Sequence, residues 1–123
     1  MKTFLVVDDS KIIRTIASRA LKDMGFATIE ASDGQTALDM CKKKLPDAVL
    51  LDWLLPLKDG IAFTKEFRAL QGTEDIPVIF CSSKTEPEDI QQALDAGANE
   101  YIMKPFDSEI LKLKINLIGL EQE

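Results

Sequence analysis

The chain predicts an α/β fold, a doubly wound sandwich around a parallel sheet. Five short apolar runs alternate with five stretches of helical periodicity. Strands joined by crossover helices form parallel sheets that are covered on both faces. Four of the runs also end in polar residues. Thr3–Val7 leads to Asp8-Asp9, Ala48–Leu51 to Asp52, Val78–Cys81 to Ser82-Ser83, and Tyr101–Met103 to Lys104-Pro105. Right-handed crossovers bring such carboxyl-terminal strand ends to one edge, where open α/β sheets bind ligands.

Thr3–Val7 reads as the first strand. Ser10 is the expected N-cap of a helix whose apolar positions Ile13, Ile16, Ala17, Ala20, Leu21 and Met24 recur at helical spacing and which Gly25 ends. Phe26–Ala31 supplies a short second strand. Ser32-Asp33-Gly34 turns into a helix carrying Ala37, Leu38 and Cys41, which stops before Pro46. The third strand reaches Asp52. A loop containing Pro56 and Gly60 then enters a helix marked by Ile61, Phe63, Phe67 and Leu70 and closed by Gly72. Pro77 opens the fourth strand. Thr85-Glu86-Pro87-Glu88 reads as a capping box with proline in the first turn. Ile90, Ala93 and Leu94 form the inward stripe of the helix that follows, and Ala96-Gly97-Ala98 ends it. The fifth strand and a last helix from about Asp107 complete the pattern. No linker, repeat or low-complexity tract divides residues 1–123, so one domain is expected.

Composition narrows the function. At 123 residues a single core can bury most of the unfolded surface. A formal charge of −6 argues against a general nucleic-acid or membrane binder, because both ligands are anionic. No apolar stretch approaches a membrane span, and Lys2 leads directly into a strand rather than a secretory signal, so the cytoplasm is the expected compartment. Cys41 and Cys81 lack a disulfide or metal framework and are expected as buried thiols. The absence of histidine excludes histidine-dependent general base chemistry, the usual triads and most zinc sites.

Crowded carboxylates carry the chemistry. Two like charges about 4 Å apart repel by roughly 4 kcal/mol at an effective dielectric of about 20. Asp8, Asp9 and Asp52 at neighbouring strand ends must therefore protonate, pair with a cation, or bind metal. Hard oxygen donors without nitrogen or sulphur favour Mg²⁺ or Mn²⁺ over zinc. Magnesium takes one or two carboxylates and a substrate phosphate, which leaves a face for a phosphoryl group. Asp52 is then the candidate nucleophile that becomes an acyl phosphate. The metal and the Lys104 ammonium would neutralise the equatorial oxygens during in-line transfer, and Ser82 would donate a hydrogen bond to the attached phosphoryl group. Any one of these residues alone is as easily a helix cap or a solvated charge. The ordered set at four strand ends is what points to a site.

Four motifs carry a resemblance to a known family. FLVVDDS at Phe4–Ser10, LDWLLP at Leu51–Pro56 followed by Asp59-Gly60, PVIFCSS at Pro77–Ser83 and AGANEYIMKPF at Ala96–Phe106 resemble the receiver domain of bacterial two-component response regulators, particularly single-domain regulators of the chemotaxis (CheY-like) type. The resemblance implies a flavodoxin-like (βα)5 fold with strand order 2-1-3-4-5. It implies that Asp8 and Asp9 are the acidic metal-binding pair, Asp52 the phosphoacceptor, and the Leu54 backbone carbonyl a further metal ligand. Lys104, Ser82 and the small Ser83 would be the phosphate-contacting residues. Ser82 and Tyr101 would be the switch pair, and the Lys104–Pro105 bond would be cis.

Function by this resemblance is a signalling switch rather than an enzyme. A histidine kinase or histidine phosphotransfer protein donates the phosphoryl group, Ser82 moves toward it, and Tyr101 follows into the vacated space. The surface of the fourth and fifth helices and fifth strand then binds a protein target. No output domain is expected beyond the last helix, and the chain would be a monomer or a weak phosphorylation-dependent dimer. The alternatives are a phosphorylation-independent interaction module, or a phosphate sink, with a relic site. A flavodoxin is disfavoured because Asp8-Asp9-Ser10-Lys11 would repel a flavin phosphate. An aspartate-nucleophile phosphatase would need an aspartate at the position of Leu54.

Departures from the family pattern refine these expectations. Leu54 is apolar and Lys84 basic at two positions bordering the path of the hydrolytic water. Leu54 would exclude that water and prolong the phosphorylated state, with Lys84 pairing with the phosphate. Leu55 is a conservative core exchange. The last helix carries two apolar stripes, Ile110-Leu113-Leu117-Leu120 and Leu111-Ile115-Ile118, one for the sheet and the other for a partner or a neighbouring helix. Lys11, Arg14, Arg19 and Lys22 form a basic outer face on the first helix, solvated or used for kinase docking.

Overall fold

Ten elements alternate along the computed structural model, which describes residues 1–119. They are β1 (Thr3–Val7), α1 (Lys11–Asp23), β2 (Ala27–Ala31), α2 (Gly34–Lys43), β3 (Ala48–Leu51), α3 (Gly60–Ala69), β4 (Val78–Ser82), α4 (Pro87–Ala96), β5 (Glu100–Met103) and α5 (Ser108–Leu117). The strands pair in parallel in the order β2-β1-β3-β4-β5, as the family resemblance implied. Register aligns the strand ends: Val7 lies beside Leu51, Leu51 beside Phe80, and Ser82 beside Met103. The residues that follow, Asp8, Asp52 and Lys104, therefore emerge at one rim with Ser82.

Two apolar layers sandwich the sheet. Leu5, Val7, Val49, Leu51 and Phe80 pack beneath α2, α3 and α4 with Leu38, Phe63, Phe67 and Ala93. Phe4, Val6, Leu50, Ile79 and Ile102 pack beneath α1 and α5 with Ala17, Leu21, Leu111 and Ile115. Alternate residues of one strand thus serve opposite layers, as a sheet covered on both sides requires. Each fully buried large side chain contributes about 1.5–3 kcal/mol of transfer free energy.

Local chemistry sets most helix ends. Ser10, Asp33, Asp59 and Asp107 each accept a hydrogen bond from the backbone N–H three residues on, capping α1, α2, α3 and α5. Gly25 takes a φ of 96°, and the N–H groups of Gly25 and Phe26 return to the carbonyls of Lys22 and Leu21, which closes α1.

Several expectations fail at the level of side-chain direction. The Thr85–Glu88 capping box does not form: Glu86 is the N-cap, with no side-chain cap hydrogen bond. Pro87 forces Glu86 into an extended conformation (ψ 145°), so Glu86 cannot be the first helical residue that a Thr85 cap would need. Leu94 and Ile16 are exposed rather than inward. On α4 the small Ala93 and Ala96 occupy the buried line, and on α1 Ala17, Ala20 and Leu21 do so, with Ile16 about a 100° step away from Ala17. On α5 the Leu111–Ile115 stripe is the one that packs, while Ile110, Leu113 and Leu117 are exposed among the described residues. Leu120 lies outside the described residues. Cys41 and Cys81 are buried, and burial pushes both thiols up to about 12.

Candidate functional site

The site begins where β1 and β3 stop. Asp8 is buried, and its carboxylate is fixed at both oxygens: the Ser10 N–H donates to Oδ1 at 2.9 Å and the Lys104 ammonium to Oδ2 at 2.8 Å. The same ammonium reaches Asp52 Oδ2 at 3.0 Å, while the Trp53 N–H donates to Asp52 Oδ1 at 2.7 Å. Asp9 is exposed beside them. One oxygen from each of Asp8, Asp9 and Asp52 lies within 4.8 Å of the others.

Electrostatics explains why Lys104 points inward. Burial alone would lower its pKa, but the hydrogen bonds and charges of Asp8 and Asp52 outweigh that effect and hold it above the usual lysine value. Three carboxylates and one ammonium leave two net negative charges (−3 + 1 = −2), which one divalent cation cancels. The donors are all hard oxygens, and exposed Asp9 keeps one side open to water. The residues present therefore fit a magnesium-type ion.

The loop after Asp52 is held tightly against it. A Cβ at Gly60 would fall 2.5 Å from the Asp52 carbonyl oxygen, so only glycine lets α3 begin there. The Gly60 N–H closes the loop onto the Trp53 carbonyl at 2.8 Å. Leu57, at the crest of the loop, has a φ of 67° and is 82 % exposed. Leu54 is 61 % exposed.

Across the rim, β4 and β5 supply neutral groups. Ser82 is buried, and its hydroxyl accepts the Lys84 N–H at 3.2 Å; Ser83 is exposed. Tyr101 is buried against Phe80, and its hydroxyl donates to the Lys84 carbonyl at 2.8 Å. Burial raises the Tyr101 phenol above its ordinary value. The Lys84 ammonium sits over the Trp53 ring, 5.0 Å from its centroid, and Trp53 meets Phe80 edge-on. The Lys104–Pro105 peptide bond is cis. Asp8, Asp9, Asp52 and Lys104 thus come together, while Ser82, Tyr101 and Lys84 form an adjoining group bonded among themselves.

One residue of the basic face belongs here instead. Arg14 points inward, with Nη1 donating to the Asp8 carbonyl at 2.6 Å and Nε to Glu30 Oε1 at 3.1 Å. Helical periodicity treats a charged residue as solvated, but side chains lean toward the helix N-terminus, and Arg14 lies one turn into α1. That position was the available signal. Lys11, Arg19 and Lys22 remain exposed.

Comparison with known proteins agrees with this geometry. Residues 4–116 match the family model described as response regulator receiver domain. The chain is 42 % identical over 115 residues to chemotaxis protein CheY-3 of Vibrio cholerae, covering 93 % of this chain and 88 % of that protein. It is 37 % identical over 117 residues to the phosphate regulon transcriptional regulatory protein PhoB of Escherichia coli, covering 95 % of this chain and 51 % of PhoB, so it spans about half the length of that relative. Among solved structures, CheY4 of Vibrio cholerae aligns with a TM-score of 0.91 at 31 % identity, over 96 % of this chain and 98 % of that one. The receiver domain of sensor histidine kinase PA1611 from Pseudomonas aeruginosa, solved with magnesium coordinated in its active site cleft, aligns at 0.85 and 29 % identity over 97 % and 98 %.

Proposed function

Because this chain belongs to the response regulator receiver domain family, a family of phosphoryl-accepting signalling domains, we propose that Asp52 takes a phosphoryl group from a histidine kinase or histidine phosphotransfer protein. The observation that carries this reading is Lys104 bridging Asp8 and Asp52 beside the open Asp9. An Asp52 carboxylate oxygen forms the new O–P bond as the donor's N–P bond breaks, and the donor imidazole leaves with the electron pair. Asp8, Asp9, Asp52 and the Leu54 backbone carbonyl would hold magnesium (or manganese), which supplies positive charge against the phosphoryl oxygens. Lys104 supplies the second positive charge and stays hydrogen-bonded as the negative charge shifts.

The switch follows from the neutral group. Ser82 exchanges its bond with the Lys84 N–H for one to a phosphoryl oxygen, and small Ser83 leaves that approach clear. Tyr101 then gives up the Lys84 carbonyl and turns into the vacated space. The α4-β5-α5 surface, where Leu94, Met103, Ile110, Leu113 and Leu117 are exposed, changes shape and binds a protein target in the cytoplasm. Such a change needs only a few kcal/mol of differential stabilisation. Exposed Leu54 and nearby Lys84 tune hydrolysis of the acyl phosphate, and any self-association is weak and phosphorylation-dependent.

Incubation with magnesium and acetyl phosphate, followed by intact mass measurement, tests the reading. A phosphoryl-sized gain in the wild type, absent from Asp52→Asn, is expected. No gain in either would favour an interaction module that works without phosphorylation.

A further inference from the structure

We infer that Arg14, Glu30 and Ser18 form a clamp that positions Asp8 and thereby sets the magnesium affinity of the carboxylate cluster. The inference rests on the metal-binding reading above and adds three residues to it. None of the three offers an atom to the cluster. Arg14 is a positioning residue, and Glu30 and Ser18 hold Arg14.

The geometry is a chain of directed contacts. Asp8 is held by its backbone as well as its carboxylate: its N–H donates to the Ala31 carbonyl at 3.2 Å, and its carbonyl accepts Arg14 Nη1 at 2.6 Å. The Arg14 guanidinium is fixed by Glu30 Oε1 at 3.1 Å, and the other Glu30 oxygen accepts the Ser18 hydroxyl at 3.1 Å. One carboxylate therefore grips two residues a helical turn apart on α1. Glu30 and Ala31 are neighbours on edge strand β2, in register with Val6 and Val7. Strand β2 contributes nothing to the metal cluster, yet it fixes the backbone of Asp8 from both sides. The Arg14 side chain is only 16 % exposed although Glu30 reaches solvent at 39 %, so it is the Arg14 end of the clamp, on the Asp8 carbonyl, that is shielded.

Charge alone and clamping make opposite forecasts for Arg14. If only long-range charge mattered, losing the cation would tighten magnesium binding and losing the Glu30 anion would weaken it. A clamp weakens binding in both cases, because the oxygens are less well placed. Loss of outer groups that orient a ligand costs about 10–100-fold in metal affinity.

Isothermal titration of the full chain with magnesium, without a phosphoryl donor, distinguishes them. Arg14→Ala and Glu30→Gln are each expected to weaken binding on the order of ten-fold, at the lower end of the range for such outer groups. The double variant should be no worse than the weaker single one, since both break the same chain. Arg14→Lys keeps the charge but not the fork and should stay weak. Unchanged or tighter binding in Arg14→Ala, or wild-type affinity in Arg14→Lys, would overturn the clamp. If Arg14→Ala does not fold, the charge-neutral Ser18→Ala decides together with Arg14→Lys, and wild-type affinity in either overturns it. A wild-type chain that binds no magnesium removes the metal-binding reading itself, a result distinct from any difference between variants.

Discussion

The two halves of the rim are built from different interactions. On the β1–β3 side, Asp8, Asp52 and Lys104 are joined by short charge-assisted hydrogen bonds. On the β4–β5 side, Ser82 and Tyr101 make neutral bonds to the backbone of Lys84. Charge-assisted bonds contribute about 1.5–3 kcal/mol and neutral ones about 0.5–1.5 kcal/mol. The first half is thus held rigidly, as the proposed transfer of a charged group requires. The second is held weakly enough for its partners to be exchanged, and they share one residue, so breaking one contact loosens the other. In the proposed function, chemistry uses the rigid half and signalling the exchangeable one.

Removing Lys104 breaks the contrast most severely. Lys104→Met should destabilise the metal-free protein by about 2 kcal/mol, less than the 3–5 kcal/mol of a fully buried pair because some solvent reaches these groups. Urea unfolding with and without magnesium checks this, and the ion should recover much of the loss. Alkali probes both halves together. The folded pKa values of Lys104 and Tyr101 are raised, so their stabilising effect is complete below the unfolded values of about 10.4 and 10 and disappears as pH climbs through the folded ones. Thermal midpoints should begin to fall above about pH 8.5, where the buried Cys41 and Cys81 thiols also resist ionisation, and the further fall above about pH 10 should be less steep in Lys104→Met.

Tyr101→Phe sharpens the contrast from the other side. It should cost about 1 kcal/mol for the lost bond to the Lys84 carbonyl and leave magnesium binding unchanged, which calorimetry would register. A change in metal affinity would mean the halves are already coupled before phosphorylation. Leu57→Asn is the smallest test. Asparagine tolerates the left-handed conformation better than leucine, so a gain of under about 1 kcal/mol is expected, with both halves unaffected.

The sequence made the charged half readable and the neutral half only partly so. Asp8, Asp9, Asp52 and Lys104 each follow an apolar run, and strand register alone brings such ends together. Strand order came from family resemblance, since periodicity does not say which strands neighbour each other. The direction of long side chains was not legible. Arg14 looked solvated and points inward, and nothing in the sequence placed the Lys84 ammonium over the Trp53 ring. Leu54 gave no sign in the sequence of how far it stands out into solvent. The two stripes of α5 are equally apolar in sequence, so only packing against the sheet selected Leu111 and Ile115. At α4, Pro87 overrode a capping motif that composition alone suggested.

The pair of cysteines has a practical corollary. With Cys41 and Cys81 enclosed and their thiolates suppressed to about pH 12, neither is a ready target for oxidants or alkylating reagents at neutral pH. A cysteine introduced on the outer face of α5 would then be the one that reacts, so a spin label or dye could report movement there without first stripping the native sulphurs.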